Sequence, residues 1–250
     1  MHPDFIIIGG PRSGTTFIYD CLKQHPDVFL RNSKRPEPHF FMLPSRYNKG
    51  IDWYYEQVFS EYKGESLSGE ASTTMMYGME SIQRILEHNP KTKIICSLRN
   101  PIDRMVSEYL KSVQTNWEDL SFEEAVQAEP KRIEEAEEEY HRIFEPGSYK
   151  KRGLYWKHLS KWIEAFGPDQ VQLLLFEDLK QKPQATMDLI SDFLNISRHD
   201  FNWEQADTNA TERRPVEISE EFIRNLKDFY REDVQALEKF LGKDLATWYR

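Results

Sequence analysis

The run Phe5-Ile6-Ile7-Ile8 leads straight into Gly9-Gly10-Pro11-Arg12-Ser13-Gly14-Thr15-Thr16 and then into a helical pattern that reaches Leu22. Four consecutive apolar residues, three of them β-branched, read as a strand buried on both faces. The glycines and the proline then break the chain into a turn. A strand, a glycine-rich turn and a helix present backbone N–H groups and the positive end of a helix dipole to an anion. A plain strand-to-helix turn is the alternative. Because this turn also holds an arginine and the hydroxyls of Ser13, Thr15 and Thr16, the reading is a phosphate-binding loop.

Further apolar runs at 94–98 (IICSL) and 171–176 (VQLLLF), with a shorter candidate at 66–71, alternate with helical patterns at 15–24, 79–89, 101–114, 121–128, 131–143, 153–166, 184–194 and 218–240. Strands that alternate with helices predict a parallel sheet covered on both faces. The expected fold is therefore α/β, a P-loop-type three-layer α/β/α arrangement around a central parallel sheet. The 250 residues are within the reach of one domain, so a single domain over 1–250 is expected. Two local signals mark helix starts: Asn100-Pro101 as N-cap and first helical residue, and Ser121 with Glu124 as a capping box.

Written against the nucleotide-triphosphatase pattern G-x-x-x-x-G-K-[ST], Gly9 and Gly14 fit, but Thr15 stands where the lysine belongs. That lysine normally reaches the β- and γ-phosphates, and a magnesium site would also want an aspartate at a neighbouring strand end. The strand at 94–98 is followed instead by Arg99, and the charge in the loop is Arg12. The pattern points to a donor with a 5′-phosphate rather than a magnesium-chelated triphosphate, with no metal expected. Arg99 would project from the carboxyl edge of the sheet, where open α/β sheets bind ligands. Arg104 and Ser107 lie three apart on the helix that follows, with a helix-start salt bridge as the alternative for either arginine.

A net charge of −9 argues against a general nucleic-acid binder, so any basic surface is local. The candidates are Arg31, Lys34 and Arg35, and Lys150, Lys151 and Arg152; each triplet, like the acidic run at 134–139, also reads as a solvated face. No apolar run approaches the roughly 20 residues of a membrane span. Cys21 and Cys96 lack metal-ligand spacing. With no signal-peptide pattern ahead of Phe5, a cytoplasmic location is expected.

Together, residues 9–26 (GGPRSGTTFIYDCLKQHP), 37–41 (EPHFF) and 99–109 (RNPIDRMVSEY) resemble the sulfotransferases that use 3′-phosphoadenosine 5′-phosphosulfate (PAPS), in particular bacterial members and the domains that modify heparan sulfate. The resemblance implies that Arg12, Ser13, Gly14, Thr15 and Thr16 bind the donor's 5′-phosphosulfate, and that Arg99 and Ser107 bind its 3′-phosphate. Many members carry lysine where this chain has Arg12, while tyrosylprotein sulfotransferases resemble it in having arginine; the charge survives, but a point charge becomes a fork. Glu37 matches the catalytic base of heparan-type members, with His39 as the competing base or as a group that orients Glu37. Residues 50–59 (GIDWYYEQVF) resemble a stretch after this motif, where Trp53, Tyr54 and Tyr55 are candidates for an acceptor pocket or for core. Glu70 and Thr73 fall in a segment that in relatives lies near donor and acceptor. Arg213 and Arg214 sit where relatives close a basic loop over the donor.

The expected activity is sulfuryl transfer from PAPS to a hydroxyl or amine of a small-molecule or glycan acceptor. The rivals are a P-loop kinase or nucleotide triphosphatase, and a non-catalytic nucleotide-binding module. Neither the acceptor nor the oligomeric state is legible from these residues.

Overall fold

The computed structural model describes residues 2–33, 37–135, 148–206 and 214–250. The chain divides into two compact units, one of Met1–Leu98 with Lys161–Asn209 and the other of Arg99–Ser160 with Ala210–Arg250.

The first unit holds all five strands: β1 (Phe5–Gly9), β2 (Val28–Leu30), β3 (Leu67–Ala71), β4 (Lys93–Leu98) and β5 (Val171–Leu175). They pair in parallel in the order β2-β3-β1-β4-β5, which puts β1 at the centre. Successive side chains of a strand point to opposite faces. Phe5 and Ile7 accordingly join Ile95 and Leu174 in one apolar layer with helix α1 (Thr15–Leu22) and with residues of a later helix at Pro183–Leu194. Ile6, Ile8, Ile94 and Cys96, on the other face, are also fully buried. There Cys96 Sγ lies 3.6 Å from Met76 Sδ, and Trp162 Nε1 donates to Met76 O at 3.1 Å. The fold is thus α/β with a central parallel sheet flanked by helices, as the alternating pattern predicted. Among the described residues no helix is long and apolar enough to cross a membrane.

Several elements escaped the sequence reading. β2 is only three residues long at the sheet edge, too short for a periodicity to register. Two helices, α2 (Pro44–Tyr47) and α3 (Ile51–Val58), follow the 37–41 segment, and α4 (Met79–His88) lies where a helix was expected.

In the second unit, α5 (Pro101–Gln114) starts as predicted, with Asn100 Oδ1 accepting from Ile102 N at 3.0 Å and Asp103 N at 3.3 Å. The capping box forms through Glu124, whose Oε2 accepts from Ser121 N at 3.0 Å and Ser121 Oγ at 2.5 Å. The break expected between 128 and 131 is absent: α6 runs from Phe122 to Glu135 through Pro130, and the rest of the predicted 131–143 helix lies outside the described residues. Proline disfavours a helix interior, yet here buried Glu129 accepts Lys150 N (2.9 Å), Lys151 N (2.8 Å) and Ser148 Oγ (3.2 Å). Those three bonds outweigh a local preference. Helix α7 (Tyr155–Phe166) begins two residues later than predicted, after a 3-10 turn at Lys151–Gly153. Back in the first unit, α8 (Phe176–Gln181), unpredicted, takes the last residue of the expected 171–176 strand and is followed by α9 (Pro183–Leu194), while α10 (Glu220–Leu241) belongs to the second unit.

Arg104 is fully buried and does not present its charge outward beside Ser107. It pairs with Glu108, four residues on, and donates to Tyr149 O, while Arg152 binds the other oxygen of Glu108. The salt-bridge reading is the right one for this residue. Glu108→Ala would leave two guanidiniums without their shared carboxylate in a dry setting; urea unfolding is expected to show a loss of about 3–5 kcal/mol.

Candidate active site

The loop after β1 is held at both ends by β4. Gly10 N donates to Ser97 O at 2.6 Å, and Ser97 Oγ donates to Ser13 O at 2.6 Å. Gly14 then serves as the N-cap of α1 with φ 83, offering no side-chain cap to the first helical N–H groups. A Cβ there would lie 2.8 Å from Leu179 and 3.0 Å from Phe176, so glycine answers both a left-handed backbone and close packing. Arg12, half-buried, also has a left-handed φ of 66, a conformation that costs a non-glycine residue free energy and concentrates at ligand clamps.

These features fit an anionic donor. Ser13 is fully buried and its Oγ has no hydrogen-bond partner, a state that costs about 1–3 kcal/mol. Thr15 is buried and Thr16 half-buried in the first turn of α1. An anion at this helix N-terminus would meet unsatisfied backbone N–H groups, a helix dipole and a hydroxyl in want of a partner.

The second cluster lies at the turn that follows the neighbouring strand, β3. A Cβ at Gly9 would sit 3.1 Å from Thr73 O, so the end of β1 abuts the turn that follows β3. In that turn Thr73 Oγ1 donates to Glu37 Oε1 at 2.8 Å and Thr73 N to Glu37 Oε2 at 3.3 Å. His39 Nε2 lies 3.3 Å from Glu37 Oε2. The His39 backbone N–H donates to Ser72 Oγ at 3.1 Å, and its Nδ1 lies 3.5 Å from Thr74 Oγ1. Burial, and then the Arg46 charge, push the imidazole pKa down to about 4, so the ring is neutral at pH 7. A neutral ring beside a carboxylate carries its proton on the facing nitrogen. On that tautomer His39 donates to Glu37 and orients its carboxylate.

Glu37 and His39 thus come together in one cluster, next to the loop that holds Arg12, Ser13, Gly14, Thr15 and Thr16. Arg99 and Ser107 belong to the second unit, each half-buried; Arg99 precedes the Asn100 cap and its carbonyl accepts from Tyr155 OH at 2.8 Å, while Ser107 is in α5. Arg214 is exposed ahead of α10, and Arg213 lies outside the described residues. Tyr54 is core: fully buried, it stacks on Phe40 at 4.6 Å between ring centroids. Trp53 and Tyr55 are half-buried on the same helix.

Behind Glu37 is a second carboxyl that the motif did not single out. Glu70, at the end of β3, is buried, and Tyr54 OH donates to its Oε2 at 2.5 Å. Burial raises its pKa to about 7, a rise to which the Glu37 charge adds and which Tyr54 and Ser72 oppose. The sequence reading named Glu70 only through its place in a segment that in relatives lies near donor and acceptor.

The folded chain therefore binds more protons at Glu70 than the unfolded chain does between pH 4.5 and about 7, and this contribution to stability is lost as pH rises through that window. Glu70→Gln removes the effect. Urea unfolding from pH 5 to 8 is expected to show wild type losing up to about 3 kcal/mol relative to the variant. Parallel pH dependences would refute a protonated Glu70. His39, whose buried neutral form works in the opposite sense, is common to both proteins and cancels.

The sulfotransferase domain model matches residues 2–246 of this chain. The chain is 32% identical over 282 residues to the human (Homo sapiens) bifunctional heparan sulfate N-deacetylase/N-sulfotransferase 3, covering 99% of this chain and 31% of that protein. It is 27% identical over 265 residues to the heparan sulfate glucosamine 3-O-sulfotransferase 3B1 of Mus musculus, covering 98% of this chain and 64% of that protein. The chain thus spans less than two thirds of the length of these curated relatives. The crystal structure of a sulfotransferase from Alicyclobacillus acidocaldarius superposes with a TM-score of 0.81 at 30% identity, covering 100% of both chains.

Proposed function

This chain belongs to the sulfotransferase domain family, and we propose on that premise that it transfers the sulfuryl group of PAPS to a hydroxyl or amine of a small-molecule or glycan acceptor. The observation that carries the proposal is the β1–α1 turn, which offers an uncapped helix N-terminus and a partnerless buried hydroxyl but has Thr15 at the lysine position of a triphosphatase loop. Two relatives are named for action on heparan sulfate, which supports a glycan among the acceptors.

PAPS, when bound, supplies a sulfuryl group on a leaving 5′-phosphate. Around it the chain's own residues have separable tasks. The first N–H groups of α1, with the Ser13, Thr15 and Thr16 hydroxyls, hold the 5′ end of the donor. Arg12 neutralises the charge that grows on the phosphate oxygen as the sulfur–oxygen bond breaks. Glu37 takes the proton from the attacking acceptor oxygen or nitrogen as the new bond to sulfur forms, and neutral His39 keeps its carboxylate turned toward that proton. Arg99 and Ser107 are assigned to the donor's 3′-phosphate by their match to the family motif, and Arg214 to the closing loop.

Glu37→Gln keeps the hydrogen-bonding shape and removes the base. Turnover of PAPS with a panel of desulfated heparan oligosaccharides, phenols and alcohols is expected to fall by about 10²–10⁴, whereas near wild-type turnover would remove Glu37 from that role.

Ligand preference separates this reading from the kinase reading. At about 100 times its Kd, 3′,5′-adenosine diphosphate is expected to stabilise the folded chain by about 2.7 kcal/mol, seen as a rise in Tm. Stabilisation by ATP with magnesium alone would overturn the assignment. Binding of the diphosphate with no transfer to any acceptor would favour the non-catalytic module.

A further inference from the structure

We propose that Thr73 is a positioning residue that sets the direction and charge state of the Glu37 carboxylate, so that the turn after β3 is part of the machinery for proton removal. This rests on the assignment of Glu37 as base. The two residues are 36 apart in sequence, and the contact is two-pronged: hydroxyl to Oε1 at 2.8 Å and backbone N–H to Oε2 at 3.3 Å. One donor on each oxygen fixes the carboxylate plane, which a single donor would leave free to rotate.

The anchor is rigid. Ser72 N donates to Ile7 O at 3.0 Å, tying the turn to central strand β1, and Thr73 is itself buried. The same turn grips the other member of the pair, through Ser72 Oγ to the His39 backbone. Its three consecutive hydroxyl residues, Ser72, Thr73 and Thr74, thus reach both members of the 37–39 pair.

Hydrogen bonds donated to a carboxylate favour its charged form, and a bond to a charged group contributes more than a neutral one. A base that must be ionised before it can act gains from both effects. Two titratable groups near it, His39 at 3.3 Å and Glu70 behind it, are both retained in a Thr73 variant.

Thr73→Val keeps the branched shape and the backbone N–H and removes only the hydroxyl. Carbon-13 NMR of the side-chain carboxyls, with the Glu37 signal assigned through Glu37→Gln, is expected to show its titration midpoint at higher pH in Thr73→Val. Turnover of PAPS with desulfated heparan sulfate is expected to fall roughly tenfold or more in kcat, with the KM for PAPS unchanged. The acid limb of the rate profile should move up with the midpoint. Thr73→Ser, which restores the hydroxyl, is expected to return both towards wild type. An unmoved midpoint with wild-type kcat would overturn the proposal, and so would a Thr73→Ser variant as impaired as Thr73→Val. Absence of turnover in the wild type would instead count against the sulfotransferase reading, because the titration tests the grip on Glu37 without needing an acceptor.

Discussion

Ser97 binds the β1–α1 loop twice, and the geometry of the candidate site is built on that pair of bonds. Its carbonyl accepts from Gly10 and its hydroxyl donates to Ser13 O, both at 2.6 Å, from a fully buried position on β4. Between those anchors the chain leaves β1, passes through the left-handed Arg12 and enters α1 at the left-handed Gly14. The path is therefore tied to the sheet at both ends of the turn. A turn pinned in this way can keep Ser13 Oγ buried without a partner.

The opposite wall of the cluster is built on the same logic with a different currency of atoms. Tyr54 and Glu70 lie behind Glu37 as a buried pair, and burial keeps Glu70 towards its neutral form. Two carboxylates that both carried charge there would repel each other, so a protonated Glu70 lets Glu37 bear the negative charge alone. The neutral His39 completes the division, because a cationic ring would hold the carboxylate in a salt bridge and, under the role proposed for Glu37, weaken it as a base. Burial is the common cause of both shifts, upward for the acid and downward for the imidazole.

How much of this was legible follows from which interactions are local. β1, β4 and β5 announced themselves because strands buried on both faces read as apolar runs, and the Asn100 and Ser121–Glu124 signals act over three residues. β2 has no periodicity to read, and α6 ignores Pro130 because Glu129 is held by residues some twenty positions later. In the site, the loop was legible as chemistry, since glycines, hydroxyls and an arginine after a strand have few other uses together. Glu37 by itself reads as a surface residue between prolines, and only its motif singled it out. Its partner Thr73 was named only through the resemblance and its contact with Glu37 by no local rule, since that contact joins residues 36 apart beside the parallel pairing of β1 and β3.

The arginines show how one residue type divides between scaffold and chemistry. Arg104 and Arg152 are buried, and they share Glu108 inside the second unit. Both are paired to a carboxylate within the protein, so they serve the fold. Arg12 stands half-buried on a strained turn beside unsatisfied N–H groups. A guanidinium held there suits a transfer in which the migrating sulfuryl carries less charge than a phosphoryl would, and in which the growing charge falls on the phosphate that leaves. In the proposed reaction, one fork of donors and a helix N-terminus would act on that oxygen where a triphosphatase uses lysine and magnesium. On this view Thr15 at the lysine position is the mark of a different leaving group, in a loop whose backbone still serves to hold a phosphate.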